Sequence, residues 1–179
     1  MKDKTATGQA ETHHEPTEPC WDAANPNESF RRYAESLHQK AKWMFLKDKT
    51  HAEMMFVFRS AGEGLLLLVR GNRDAFVEKL KELIRGSDVV GVVHVCEAWT
   101  RFGGNNDHIT KQIMMGEIGV SDLRPEHRGE ALFTAIQSRD GRSFCWIDPI
   151  VRDAKTGEVS LRDGFALDKI EGRFGGLFG

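Results

Sequence analysis

The apolar positions of this chain fall into runs of two different periods. Phe30, Tyr33, Ala34, Leu37, Ala41 and Met44 recur at helical spacing and predict a helix starting at Ser29, with Arg31, Arg32, Lys40 and Lys42 on its solvated face. Ala52–Phe58 and Leu65–Val69 then read as two strands, and the intervening Ser60-Ala-Gly-Glu-Gly64 reads as a hairpin link. Asn72 stands where a helix N-cap belongs, and Asp74 follows in the first turn, where the helix dipole favours an anion. Phe76, Val77, Leu80, Leu83 and Ile84 form the stripe of this second helix, and Gly86 ends it.

The stretch Asp88-Val-Val-Gly-Val-Val-His-Val-Cys-Glu-Ala-Trp99 is apolar at both parities and rich in β-branched residues. Such a run fits the middle of a sheet. A long polar connection, Arg101–Gly129, follows; a connection of that length in a small domain is functional or poorly ordered. Ala131–Ser138 and Ser143–Ile150 form a second hairpin around Asp140-Gly141, and a short strand is expected near Val159–Leu161.

This order predicts an α+β domain: a mostly antiparallel sheet with two helices on one face. The element order is similar to that of roadblock-type and profilin-like domains. The first 27 residues are rich in Thr, Glu, Pro, His and Ala without periodic apolar positions. They predict a disordered tail, residues 1–27, ahead of one domain, 28–179, with Trp21 as the residue able to dock.

With a two-residue turn at Asp140-Gly141, one face of the second hairpin carries Leu132, Ile136, Cys145 and Ile147. The other then carries Phe133, Ala135, Phe144 and Trp146. Both faces are apolar and both need cover. Helices cover one. The other calls for the C-terminal residues, with Phe165, Leu167, Ile170, Phe174 and Phe178, or for a partner protein.

Composition narrows the function classes. A formal net charge of −2 over 179 residues gives no drive toward nucleic acid. The longest apolar run, Leu65–Val69, is too short for a membrane span, and the first residues are polar and charged, unlike a signal peptide. Three widely spaced cysteines, Cys20, Cys96 and Cys145, point to reduced thiols and a cytoplasmic setting.

The chemistry-bearing candidates sit on the valine strand. Glu97 is a candidate general base and His94 its companion. The structural alternative has Glu97 paired with an arginine of the following loop, Arg101, Arg124 or Arg128. His94, Cys96 and Cys145 are suitable zinc ligands, but their spacing matches no zinc motif and a fourth ligand is missing. No metal or cofactor is therefore expected. G-x-S-x-G, H-E-x-x-H, P-loop and dinucleotide fingerprints are absent.

Glu97-Ala-Trp99, Arg124-Pro-Glu-His-Arg128 running into Glu130-Ala-Leu132, the Asp140-Gly-Arg142 turn and the closing Gly172-Arg-Phe-Gly-Gly-Leu-Phe178 together resemble a family of small bacterial proteins of unknown function. The resemblance covers residues 29–179 and implies a bacterial, cytoplasmic, single-domain protein. It brings no activity with it. The reading favoured by the sequence is a non-enzymatic interaction or accessory module with a protein partner or as a homodimer, with Trp99, Phe133, Phe144 and Trp146 as interaction residues. A small enzyme using Glu97 and His94 and a small-ligand sensor domain are the alternatives.

Overall fold

Helix α1, Pro26–Asp48, starts ahead of the expected Ser29 because Pro26 occupies its first turn, where a missing N–H costs nothing. Ser29 is instead buried within that turn. Its hydroxyl accepts the Asp22 N–H at 2.8 Å and donates to the Asp22 carbonyl at 3.2 Å, tying the incoming chain to the helix. The computed structural model describes residues 16–86, 88–101, 108–115, 117–168, 174 and 176–178. Residues 1–15 of the expected disordered tail lie outside the described residues.

The boundary drawn at residue 27 moves toward the N-terminus. Trp21 stacks on Phe58 with ring centroids 6.0 Å apart and planes 5° from parallel, meets Tyr33 at 5.5 Å, and donates its indole N–H to the Ser60 carbonyl at 3.0 Å. Gly62, with φ +91°, passes so close that a Cβ there would lie 2.8 Å from the indole. A half-buried indole with a satisfied N–H is a substantial anchor. Trp21→Ala is expected to cost about 2 kcal/mol, below the range for fully buried Trp truncations. A urea midpoint equal to that of the parent would refute the docking.

Among the described residues the strands are β1 Met54–Arg59, β2 Gly64–Leu68, β3 Val89–Thr100, β4 Gly129–Ser138, β5 Ser143–Arg152, β6 Val159–Leu161 and β7 Phe165–Leu167. They form one antiparallel sheet in the order β2-β1-β3-β4-β5-β6, with β7 also pairing β5. Helix α2 is Arg73–Arg85, capped as expected by the Asn72 carbonyl oxygen, which accepts from the Asp74 and Ala75 N–H groups. With α-helices beside an antiparallel sheet, the fold is α+β, whereas the likeness to roadblock-type and profilin-like domains is not confirmed. The expected polar connection holds helix α3, His108–Met114, and two 3₁₀ turns, Val120–Asp122 and Pro125–His127. Its Gly103-Gly104 pair lies outside the described residues.

Helices cover both faces of the sheet, not one as the element order predicts. Phe30, Ala34, Ala41 and Phe45 of α1 pack on Val93, Val95, Leu132 and Ile136. Val77, Leu80 and Ile84 of α2 pack on Met55, Val57, Val89 and Val92 of the opposite face. The reason is β3 itself: it is buried at both parities from Val89 to Val95, so each face requires a lid. A bulge sharpens this. Phe58 opposes Gly91 while Arg59 opposes Val89, so Val90 is the extra residue and side-chain alternation reverses there.

The β4–β5 hairpin corrects a second expectation. Gln137 pairs with Ser143 and Ile136 with Phe144, so the loop is Arg139-Asp140-Gly141, three residues, with Gly141 at φ +88°. One added loop residue flips β5 relative to β4. Leu132 and Ile136 therefore share the α1 face with Phe144 and Trp146, and Phe133 and Ala135 share the α2 face with Cys145 and Ile147. Phe144 and Trp146 are covered by α1, not by the C-terminus. Phe174, Leu177 and Phe178 pack on the α2 side, where Gln137 accepts the Leu177 N–H at 2.9 Å and donates to the Phe174 carbonyl. Ile170 lies outside the described residues.

Candidate functional site

Three features carry exposed or convergent chemistry. The first is the end of β3. His94 and Glu97 are three positions apart on a regular stretch of β3, so they project to opposite faces of the sheet. His94, on the α2 side, lies 3.1 Å from a Glu53 carboxylate oxygen and 4.3 Å from the Phe174 ring. Arg73 holds the other Glu53 oxygen at 2.6 Å. The hydrogen bond from His94, aided by Arg73 and opposed by burial, holds the Glu53 carboxyl below its ordinary value. Glu97 accepts the His51 backbone N–H and, at 3.3 Å, a guanidinium N–H of Arg152. Arg152 also binds Glu130 at 2.6 Å.

Glu97 thus enters an ion pair, but with a β5 arginine rather than with Arg101, Arg124 or Arg128 of the loop. Arg128 lies over the Trp99 ring at 3.9 Å instead, and Arg101 donates to the His127 carbonyl at 3.2 Å. Arg124 stands 4.0 Å from Glu126. The polar cleft of about 340 Å³ at this strand end is lined by Arg73, Glu97, Ala98, Trp99, Glu130 and Arg152. Both Glu97 oxygens are already engaged, and among the described residues lining the cleft there is no histidine and no nucleophile. The cleft gathers two arginines and two carboxylates, Arg73, Arg152, Glu97 and Glu130.

The second feature is a polar chain under α1 that no motif announced. Lys42 reaches Asp148 at 2.8 Å, His38 stands 3.5 Å from the other Asp148 oxygen, and the His38 Nδ1 meets the Thr134 hydroxyl at 3.1 Å. His38, Thr134 and Asp148 are all buried, and His38 stacks on Trp146 at 4.6 Å. Burial pushes the His38 imidazole down to about 4; Asp148 works against this and Lys42 with it. The ring is therefore neutral at pH 7. The network assigns its Nδ1 as acceptor from Thr134 and its Nε2–H as the face toward Asp148. A hydroxyl, an imidazole and a carboxylate in line invite comparison with a nucleophilic triad, but Thr134 is fully buried in the middle of the sheet, where no substrate carbonyl reaches it. A cleft of about 280 Å³ opens beside the chain, lined by His38, Lys42, Trp146, Asp148, Gly164 and Phe165 with Ala166. Gly164 is required there: a Cβ would stand 2.4 Å from Asp148 Oδ1.

Legible signals for this cluster did exist. His38 falls on the apolar stripe of α1 between Ala34 and Ala41, and Asp148 interrupts an apolar strand after Ile147. Each is a polar residue at a core position, and such residues seek each other. Lys42, expected on the solvated face, bends its ammonium back to meet them.

Metal chemistry finds little to hold. Cys145 and His94 flank Ala135 across β4 on one face, yet among the described residues no group of three His, Cys, Asp or Glu side chains converges. Burial pushes both the Cys96 and the Cys145 thiol up to about 12, which opposes thiolate ligation.

The third feature is apolar. Leu65, Leu66 and Leu68 of the edge strand β2 are 40%, 55% and 46% exposed, and Met44 of α1 is exposed as well. At the opposite edge Phe165 and Leu167 of β7 are exposed. Of the four expected interaction residues, only Trp99 is open to solvent; Phe133, Phe144 and Trp146 are half-buried in the domain. The sequence reading took Leu65–Val69 as a hairpin strand and named no interaction residue on it. Among the described residues no helix is long and apolar enough to cross a membrane. No family model, curated protein or solved structure matches this chain.

Proposed function

We propose that this chain is a non-enzymatic protein-interaction or accessory module, and that β2 is its docking edge. The observation that carries the reading is the exposure of Leu66 and its neighbours on a sheet edge. An unpaired edge with a leucine run is a template for another chain, and native proteins ordinarily blunt such an edge with charge, proline or a bulge. Residues 64–69 contain none of the three. The enzyme alternative loses its motive because His94 and Glu97 face apart. The likeness to small bacterial proteins supports a bacterial, cytoplasmic setting for the module.

The test compares the full chain with a Leu66→Lys variant, which adds a charge at an exposed site and leaves the core untouched. Both are used as bait in extracts of the native host, after far-UV spectra confirm equal folding. A stoichiometric partner held by the parent and lost at least tenfold by the variant supports the reading. A partner retained equally by both removes β2 from it.

A further inference from the structure

We infer that the occupant of the β2 edge is a second copy of this chain, paired antiparallel to it about a two-fold axis through Leu67. This rests on the interaction-module reading and names its partner.

The main chain fixes which groups are available. The Val69 N–H donates to the Glu53 carbonyl at 3.1 Å, and the Glu63 carbonyl accepts the Arg59 N–H at 2.9 Å. Positions 63, 65, 67 and 69 therefore turn their backbone groups toward β1. In an antiparallel ladder the intervening residues turn theirs the other way. Gly64, Leu66 and Leu68 consequently present N–H and C=O groups to the open edge.

Side chains choose the register. Leu66 opposes Phe56 and Phe56 opposes Val93, so Leu66 and Leu68 stand on the α1 face; Leu65 and Leu67 stand with Val57 and Met55 on the α2 face. A two-fold axis perpendicular to the sheet keeps each face on its own side, so a residue can only oppose one of its own parity. Two central registers satisfy this. With Leu66 opposite its own mate, Leu68 faces Gly64 and its side chain stays uncovered. With Leu67 opposite its own mate, each Leu66 faces a Leu68 of the other copy, and Gly64 faces Arg70. The second register covers the exposed Leu66 and Leu68 of both copies and uses every outward backbone group from residue 64 to 68.

Charge agrees with the antiparallel sense. Glu63 enters the strand and exposed Arg70 leaves it, with no charge between them. Antiparallel self-pairing lays the acidic entry of each copy alongside the basic exit of the other at both ends of the seam. Parallel pairing would set like charges side by side. A seam this short falls below the ~1,200 Å² of stable complexes, so the dimer is expected to be reversible, with a dissociation constant on the order of micromolar.

Sedimentation of the full chain from about 1 to about 200 µM should show this equilibrium, and Leu66→Lys should weaken it at least tenfold. Register is read by oxidative cross-linking in a Cys20→Ser background. Leu67→Cys should yield a covalent dimer, because non-hydrogen-bonded antiparallel partners bring their Cβ atoms closest. Leu65→Cys should not, because it faces Val69. A monomer across the whole range overturns the self-pairing, and the interaction reading is then judged by its own bait experiment. A dimer indifferent to Leu66→Lys also overturns it, while leaving an interaction module that associates elsewhere.

Discussion

Replacing Gly91 with alanine should destabilise the protein by about 3 kcal/mol, the upper end of what overpacking costs in a core. An added Cβ would stand 2.2 Å from the Phe30 ring, far inside contact distance. Phe30 has nowhere to go: it is 2% exposed and packs against Phe58 at 5.7 Å. Gly91 is also fixed from below, since it pairs with Phe58 on one side and Ser138 on the other just after the β3 bulge. For a domain of this size the melting temperature should fall by roughly 6–12 °C. Phe30→Ala alone should cost about 3–5 kcal/mol by leaving a cavity. The double variant should cost clearly less than the two together, because alanine at position 91 then grows into space that Phe30 has vacated. Additive costs, or a Gly91→Ala protein that melts like the parent, would show that α1 does not cross β3 at this point.

That contact also shows where sequence reasoning stops. A glycine inside a valine run announces a bulge or a close approach, and Phe30 announces itself as the first apolar position of a helical stripe. Nothing in linear order says that the two meet. The antiparallel sheet and both helices were legible because their periodicities are local properties. The hairpin register was not, because the difference between a two- and a three-residue loop at Asp140-Gly141 depends on whether Arg139 joins it. Arg139 donates to the Val89 and Ile84 carbonyls at 2.6 and 2.9 Å, and these long-range bonds help hold it out of the ladder. From that one residue followed the misplacing of Phe144 and Trp146 and the wrong cover for them.

The candidate site was legible in the same uneven way. Glu97 was correctly read as a residue with an ionic partner. The partner came from β5, two strands over in the sheet, because strand order is set by pairing and not by chain proximity. The Lys42–Asp148–His38–Thr134 chain joins three elements, α1, β4 and β5, that share no motif. Only the oddity of a histidine and an aspartate at core positions hinted at it.

Acidification should expose that buried chain. The His38 imidazole takes up a proton in the unfolded chain near the ordinary 6.5, but in the folded protein only near 4. The sign follows directly. Between these values the unfolded state binds more protons than the folded one, so stability rises with pH across the window. The contribution is present in full above pH 6.5 and is lost progressively as pH falls toward 4. At 1.36 kcal/mol for each pH unit, the loss is about 3 kcal/mol. The side chain is only 7% exposed, so solvent screening scarcely reduces it. The depressed Glu53 carboxyl adds a loss of the same sign at lower pH. The decisive quantity is a difference between proteins. His38→Gln keeps a neutral hydrogen-bonding group next to Thr134 and Asp148 and removes the titration. It should be less stable than the parent at pH 7, since the amide cannot reproduce the stack on Trp146. Between pH 6.5 and 4 its urea-derived stability should fall by about 3 kcal/mol less than the parent's. The two curves therefore approach one another as the solution is acidified. Parallel curves would mean that His38 protonates as easily folded as unfolded, and that water reaches the imidazole which the fold encloses between α1 and the sheet.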